Sequence, residues 1–557
     1  MSSSDNYVFE SSMMPDMNAE KFVDKKLTYM LDSNQGSYSG NQIIFESSQT
    51  SNSGKWASFS ESYFTIPVVI ALQSSQDITA AASPFMVGFK AGYYHLVDSI
   101  QVDLNGTNVC QLTPYTNVFT HFKIMSTWST DSMAKYGTSI GFWKDDATSL
   151  TYSAAASLSG NGVLNNSALG AFTSLAATSF VGAAWNNGFI QRLRAIGYTP
   201  TGGFGGLSAF YTTPQSTGLN YFTNNAGANA ARVYYWNIIA KIRPGDLHDF
   251  FDKIPLTRGA YFRITLNINT ASFSVTSVAG PLISIAAAAN LTVNGRTCPI
   301  MVASGAANQP LAASIAVNAG ASVISVAVGV GSATVGGVTV QNTIMTSCRW
   351  YVPLYTMIPS YEEQFLVTFP TRTIEYEDVY NFIVTGVTAG STFNNLLSNG
   401  ITNPKTLLVV PVLNGAANNN AAIAFSEIQS PFSSCPGTTC PLAAINQYNV
   451  QLSGSNVYQN NEQYEFSNFM DELAKCGLNG GNNDYLDSGL ISEADFTYAY
   501  RYYLTDLSRR LPQEDAYPKS VQITGVNLSA KILDLICFIT FGRSIKIRTS
   551  DCSILTD

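Results

Sequence analysis

Residues Ile100–Val109 read IQVDLNGTNV, and residues Tyr448–Val457 read YNVQLSGSNV. The two stretches agree at Val102/Val450, Leu104/Leu452, Gly106/Gly454, Asn108/Asn456 and Val109/Val457. Each is a strand-like alternation broken by a turn signal, Asn-Gly in one copy and Ser-Gly in the other. Soon after each copy the same aromatic spacing recurs, Phe119-x-x-Phe122 and Phe466-x-x-Phe469. Together they predict that one β-rich unit is present twice. A chain of 557 residues exceeds one hydrophobic core and divides into two or three domains. The wide spacing of the copies suits two sandwiches of about 200 residues each with long loop insertions.

Composition narrows the function. Charged residues make up 12 % of the chain, against about 25 % in an average globular protein. So poorly ionised a surface tends to associate, which favours a self-assembling protein over a secreted, turn-rich β protein. The net charge is −8. In residues 1–50, three lysines (Lys21, Lys25, Lys26) face seven carboxylates, the opposite of a basic nucleic-acid arm. The eight cysteines are scattered and form no disulfide framework. The opening MSSSDNYVFE has acids where an export signal has bases and an apolar run. An intracellular product with mostly free thiols is expected, with the sequons at Asn105, Asn165, Asn290 and Asn527 unmodified. Ala319–Val340 is uncharged and long enough to span a bilayer. Its glycines and alternating β-branched residues read as strands and turns instead.

Along the chain, residues 1–50 read as a polar arm with a modest helical patch at Phe22–Leu31, ordered by a partner. Phe64–Leu72 is a strand in which Pro67 argues for an edge or a bulge. Strands follow at Met86–Phe89 and Val97–Leu104, then a helix near Val118–Thr127. Val233–Ile242 is a strand. Asp246 caps a short helix with Leu247, Phe250, Phe251 and Ile254 on its apolar face. Tyr261–Ile268 is a further strand. Thr276–Ser347 holds one charged residue, Arg296, and reads as a loop insertion. Such a stretch is an aggregation hazard when exposed and is expected to pack against neighbouring copies of the chain. Arg349–Tyr355 closes unit one, and strand signals from Phe365 open unit two. There, Thr406–Leu413, Phe496–Leu504, Val521–Gly525, Ala530–Phe541 and Ser544–Arg548 read as strands. A helix carries Phe466, Phe469, Met470 and Leu473 on one face.

Several segments resemble the double jelly-roll major capsid proteins of polinton-like viruses and virophages. They are Asp246–Asn269 (DLHDFFDKIPLTRGAYFRITLNIN), Trp56–Pro67, Cys348–Leu366, and Tyr498–Arg510 leading to Val521–Ile547. LTRGAYFRI and YRYYLTDLSRR carry most of the resemblance, which runs from Trp56 to the C-terminus. It implies an all-β fold of two tandem eight-stranded antiparallel jelly rolls, with short helices and long loop insertions. The expected division is an arm over 1–50, a first jelly roll over 51–358 with its insertion at about 276–345, and a second over 359–557. It further implies a major capsid protein that forms homotrimeric, pseudo-hexameric capsomers in the icosahedral shell of a double-stranded DNA virus. The implied partners are other copies, penton and minor capsid proteins, and an inner membrane touched by the arm. No sequence-specific nucleic-acid binding is implied.

No catalytic, cofactor-binding or metal residue is assigned, and no cofactor is expected. Gly137-Thr-Ser-Ile-Gly141 matches the G-x-S-x-G elbow but lacks the strand before and the helix after. His248 beside Asp249 reads as a solvated helix face, and His95 and His121 as packing residues. Cys435 and Cys440 bracket a Pro-Gly turn without the further ligands zinc needs. Asp484, Asp487 and Glu493 lack calcium-loop spacing. A carbohydrate-binding or adhesive β-sandwich is the alternative function. A β-sandwich glycoside hydrolase would need two facing carboxylates, which the sequence does not offer.

Overall fold

The computed structural model describes residues 21–38, 40–74, 85–145, 150–152, 164–166, 187–195, 219–223, 232–277, 283–285, 292–304, 323–414, 427–429, 431, 435–438, 444–477, 489–508, 517–529 and 532–555.

Sixteen strands form two sets of eight. The first set is β1 (Phe22–Leu31), β2 (Gln42–Glu46), β3 (Tyr63–Ser74), β4 (Val97–Leu104), β5 (Thr107–Cys110), β6 (Arg232–Ile242), β7 (Phe262–Ile268) and β8 (Arg349–Met357). The second is β9 (Thr371–Val387), β10 (Thr392–Ile401), β11 (Pro404–Leu413), β12 (Ile445–Leu452), β13 (Ser455–Asn456), β14 (Tyr503–Asp506), β15 (Lys519–Asn527) and β16 (Leu533–Arg548). In unit one the sheets run β1-β8-β3-β6 and β2-β7-β4-β5. In unit two they run β9-β16-β11-β14 and β10-β15-β12-β13. Counted within its own set, each unit therefore pairs its strands as 1-8-3-6 and 2-7-4-5, always antiparallel. This is the two-sheet jelly roll, twice.

The repeated decapeptide is the hairpin between the fourth and fifth strands of each unit. Leu104 pairs with Thr107, and Leu452 with Ser455. Each loop has two residues, and both take positive φ: Asn105 +48° and Gly106 +83°, Ser453 +50° and Gly454 +81°. That is the type I′ turn, whose twist matches the flanking strands. Even the next register agrees, with Val102 opposite Ile264 and Val450 opposite Ile523. A helix follows the fifth strand in both units, α1 (Thr116–Thr127) and α2 (Phe466–Lys475).

Aromatic side chains fill both barrels. Phe45 stacks on Phe64 at 5.0 Å, with Trp350 beside both. In unit two Tyr448, Tyr464 and Tyr503 occupy the core, their hydroxyls meeting Thr505, the Leu504 carbonyl and the Ile445 amide. Buried tyrosines need such partners.

Several expectations change. Phe22–Leu31 is not a helical patch but β1, paired along its length with β8 and ordered by its own chain. β2 also lies within residues 1–50 and pairs with β7, so both strands belong to unit-one sheets. Pro67 lies in the interior of β3, opposite Ile239 of β6. It is tolerated because the neighbour on the other side changes there, from β8 at Tyr63–Thr65 to the strand Val323–Val330 at Val68–Ser74. That strand is inserted between β3 and the strand Thr270–Ser277, and Val326, Val328 and Val330 are buried. This part of the insertion is thus satisfied within one chain rather than by neighbours. Pro359–Thr368 is a helix with no buried residue, not the start of a strand. Glu493–Tyr498 is a helix opened by a Ser492/Asp495 capping box, so the strand expected from Phe496 shrinks to β14. Leu533–Arg548 is one strand where two were expected. The central part of the insertion, 305–322, lies outside the described residues, as do residues 478–488. Among the described residues, no helix is long and apolar enough to cross a membrane.

Candidate functional site

What the fold builds most carefully is the seam between the two barrels. Unit one contributes the end of β5, α1 and the segment after β6; unit two contributes β9 and β16. The segment after β6 is not one helix capped by Asp246. It is two single turns, Pro244–Leu247 and Phe250–Lys253, with His248 extended between them. That break turns His248 inward, and only 5 % of it is exposed. The reading of His248 as a solvated residue is therefore corrected.

Asp378 of β9 is fully buried at the centre. It accepts from His248 Nε2 at 3.2 Å and from an Arg543 guanidinium nitrogen at 2.6 Å. Arg543 also donates to the Val109 and Asn108 carbonyls, and Tyr376 donates to the Val109 carbonyl at 2.7 Å. Burial alone would raise the Asp378 pKa; the bonds from His248 and Arg543 outweigh it and hold the carboxyl below its ordinary value. Thr113 Oγ1 donates to the Val379 carbonyl at 2.8 Å, and Phe119 meets Phe538 at 5.3 Å. Farther along, the buried Lys90 ammonium donates to the carbonyls of Ile428 and Cys435. Lys144 pairs with Asp495 at 2.7 Å. One apolar core runs through both barrels. The seam also holds an open cavity of about 700 Å³, with Phe119, Phe122 and Val379 among its apolar walls and Lys123, Lys405 and Glu377 among its charged ones.

Cys110, His248 and Asp378 bring one donor atom each within 4.8 Å of one another, the one such group among the described residues. The geometry makes them a hydrogen-bond network rather than a metal centre. The Phe250 amide donates to His248 Nδ1 at 3.2 Å, which places the ring proton on Nε2, where it is donated to Asp378. A metal-bound histidine offers one ring nitrogen's lone pair to the metal and donates from the other; here the Phe250 amide takes the Nδ1 lone pair and Nε2 faces Asp378. Arg543 already occupies the second Asp378 oxygen, and burial, then the nearby Asp378 charge, pushes the Cys110 thiol pKa far up.

The other sequence candidates stay apart. Ser139 Oγ donates to the Tyr136 carbonyl in a short 3-10 turn and bonds to no histidine. His95 and His121 are fully buried beside Asn117 and Tyr94. Burial drives the His95 pKa well down and that of His121 to about 3, so both are neutral. Cys435 is buried and precedes a cis proline. Cys440, Asp484 and Asp487 lie outside the described residues, and Glu493 opens a helix. Sequence reasoning missed Asp378, Arg543 and Tyr376, whose partners stand more than a hundred residues away.

No family model and no curated protein matches the chain. Solved structures do. A chain of the Sputnik virophage structure from cryo-EM aligns with a TM-score of 0.51 at 12 % identity, over 98 % of this chain and 90 % of that one. The Faustovirus major capsid protein gives 0.43 at 10 % identity, over 96 % and 93 %. The mavirus major capsid protein gives 0.42 at 10 %, over 98 % and 94 %. From its own strand order, and from a likeness that spans nearly its whole length, the chain is a double jelly roll that shares its fold with a chain of the Sputnik virophage.

Proposed function

We propose that this chain is a major capsid protein, the structural subunit of an icosahedral double-stranded DNA virus shell of the virophage type. The observation that carries the reading is the doubled 1-8-3-6/2-7-4-5 strand order locked by a buried seam. Two similar barrels held side by side give three copies a ring of six, and closed threefold symmetry stops the association there. A chain with 12 % charged residues suits a subunit whose flanks are covered by neighbours. The capsomer is thus a pseudo-hexameric homotrimer, assembled in the host cell and resident in the virion. The chain divides near residue 358, and the acidic stretch before β1 is the part of the arm that contacts minor capsid proteins or an inner membrane. Penton and minor capsid proteins complete the shell, and the chain has no catalytic role. Electron microscopy of the purified, expressed protein tests this. Six-lobed capsomers or shells are expected; single two-lobed particles at every concentration would overturn it.

A further inference from the structure

We propose that the first barrel binds a neutral saccharide in a cavity at the end where the loop insertion leaves it. The site stands apart from the capsomer reading above and is tested without it.

β7 begins near the helix Pro359–Thr368, where Arg258 pairs with Glu362, and runs away from it to Ile268. At that far end a second cavity opens, of about 440 Å³, which shares no lining residue with the seam cavity. Its size is within the range of small-ligand sites, about 300–1,000 Å³. Asn267 of β7 and Ser99 of β4 lie side by side in it, and Asn267 Nδ2 donates to Ser99 Oγ at 2.8 Å. The turn Val293–Arg296 of the insertion forms another wall, and Leu112 and Pro114 a third.

The turn is held from beneath. Asn269 is fully buried; its Oδ1 accepts from the Arg296 and Thr297 amides at 3.1 and 3.2 Å, and its Nδ2 donates to the His95 carbonyl. Gly295 has φ of +82°, and a Cβ there would collide with Asn269 Oδ1, so only glycine lets the turn sit this close. Thr270, also buried, joins two walls: Oγ1 accepts from Asn294 Nδ2 at 3.0 Å and donates to Asn41 Oδ1 at 3.1 Å. Both amides are thereby fixed before a ligand arrives, which lowers the cost of binding.

The groups left unsatisfied describe the ligand. Asp98 lines the cavity and is 1 % exposed. Arg296 takes its Oδ2, and no hydrogen bond reaches Oδ1. A buried carboxylate oxygen without a partner is costly, and the partner it lacks is a donor. Phosphate, sulfate and carboxylate ligands cannot supply one. The Arg296 guanidinium is 46 % exposed and keeps N–H groups to give. Among the described residues, Asn41 Nδ2 and Asn294 Oδ1 are also unengaged, one a donor and the other an acceptor. An amine would satisfy Asp98 but face the Arg296 charge. Vicinal hydroxyls, each able to give and to accept, satisfy both kinds of group. Leu112, Val293 and Pro114 offer aliphatic surface to the C–H face of a sugar ring. Repeated over the copies of a shell, individually weak sites would add by avidity on a glycan-coated surface.

Saturation-transfer difference NMR on the full-length protein tests this. The probes are the methyl glycosides of glucose, galactose, mannose and N-acetylglucosamine, with N-acetylneuraminic acid and glucuronic acid as anionic controls. Saturable transfer to at least one neutral glycoside is expected. Asp98→Asn should weaken that binding at least about tenfold, the scale of one hydrogen bond to a charged group. Leu112→Asp should weaken it comparably, by placing a charge where the ring face lies. Leu112 is 53 % exposed, so its variant keeps the fold and carries the test even where Asp98→Asn does not fold. Transfer to none of the neutral glycosides, transfer to the anionic sugars alone, or undiminished binding in either folded variant would overturn the inference.

Discussion

Asp378 in the second barrel, fully buried, receives a hydrogen bond at 3.2 Å from Nε2 of the nearly buried His248 in the first. With Arg543 on its other oxygen, Asp378 is the hub on which the two barrels meet. Replacing it with alanine leaves the Arg543 guanidinium and His248 without their acceptor. Because Arg543 keeps about a quarter of its side chain exposed, a loss of about 3 kcal/mol is expected, the low end for breaking a buried ion pair. Urea unfolding of Asp378→Ala checks this; a change below about 0.5 kcal/mol would show that the hub does not hold the barrels.

Tyr376→Phe removes one donor from the Val109 carbonyl while Arg543 still reaches that oxygen at 3.3 Å. The carbonyl is not orphaned, so the cost should stay near 1 kcal/mol, the net worth of one hydrogen bond. A double-mutant cycle with Arg543→Met should show coupling, because the second removal then strands the carbonyl.

The two hairpin glycines should behave alike. Gly106 and Gly454 have φ of +83° and +81°, and a Cβ at either would meet nothing within 4 Å. The penalty for Gly106→Ala or Gly454→Ala is then conformational alone, about 1–2 kcal/mol. Thermal unfolding should give matching shifts. A difference above about 1 kcal/mol would contradict the equivalence of the two turns.

Stability should fall as the solution is acidified, in two stages. His95 and His121 have folded pKa values below the ordinary histidine value because both are buried. Below about pH 6.5 the unfolded chain binds protons that the folded one refuses, each histidine contributing a slope of about 1.4 kcal/mol per pH unit. For His121 that slope persists down to about 3. Asp378 acts at lower pH: its folded pKa is depressed, so its contribution is intact above about 3.9 and lost below it. Urea titrations from pH 7 to 5 should show stability dropping, and His121→Gln should remove about half the slope. A flat profile over that range would mean that the histidines are solvated.

The parts of the fold legible in the sequence were those coded locally. The β4–β5 and β12–β13 hairpins, both Phe-x-x-Phe helices and the strands β6, β7 and β8 were visible from turn signals and alternation. β1 was not, because VDKKL breaks its alternation: Asp24, Lys25, Lys26 and Leu27 are all exposed, and its order comes from β8, more than three hundred residues away. The helix Glu493–Tyr498 was hidden by the alternating aromatics after it, although its Ser-x-x-Asp box was available as a signal. The seam was illegible for the same reason as β1. His248, Asp378 and Arg543 lie in unremarkable local sequence, and only the packing of one barrel on the other gives them a common purpose.

The central claim is that two fused barrels make half-rings that close in threes. Sedimentation equilibrium of the purified chain at physiological salt measures this most directly. A species of three times the 60.0 kDa chain mass, stable on dilution, is the predicted result. A single 60.0 kDa species at every loading concentration would contradict it.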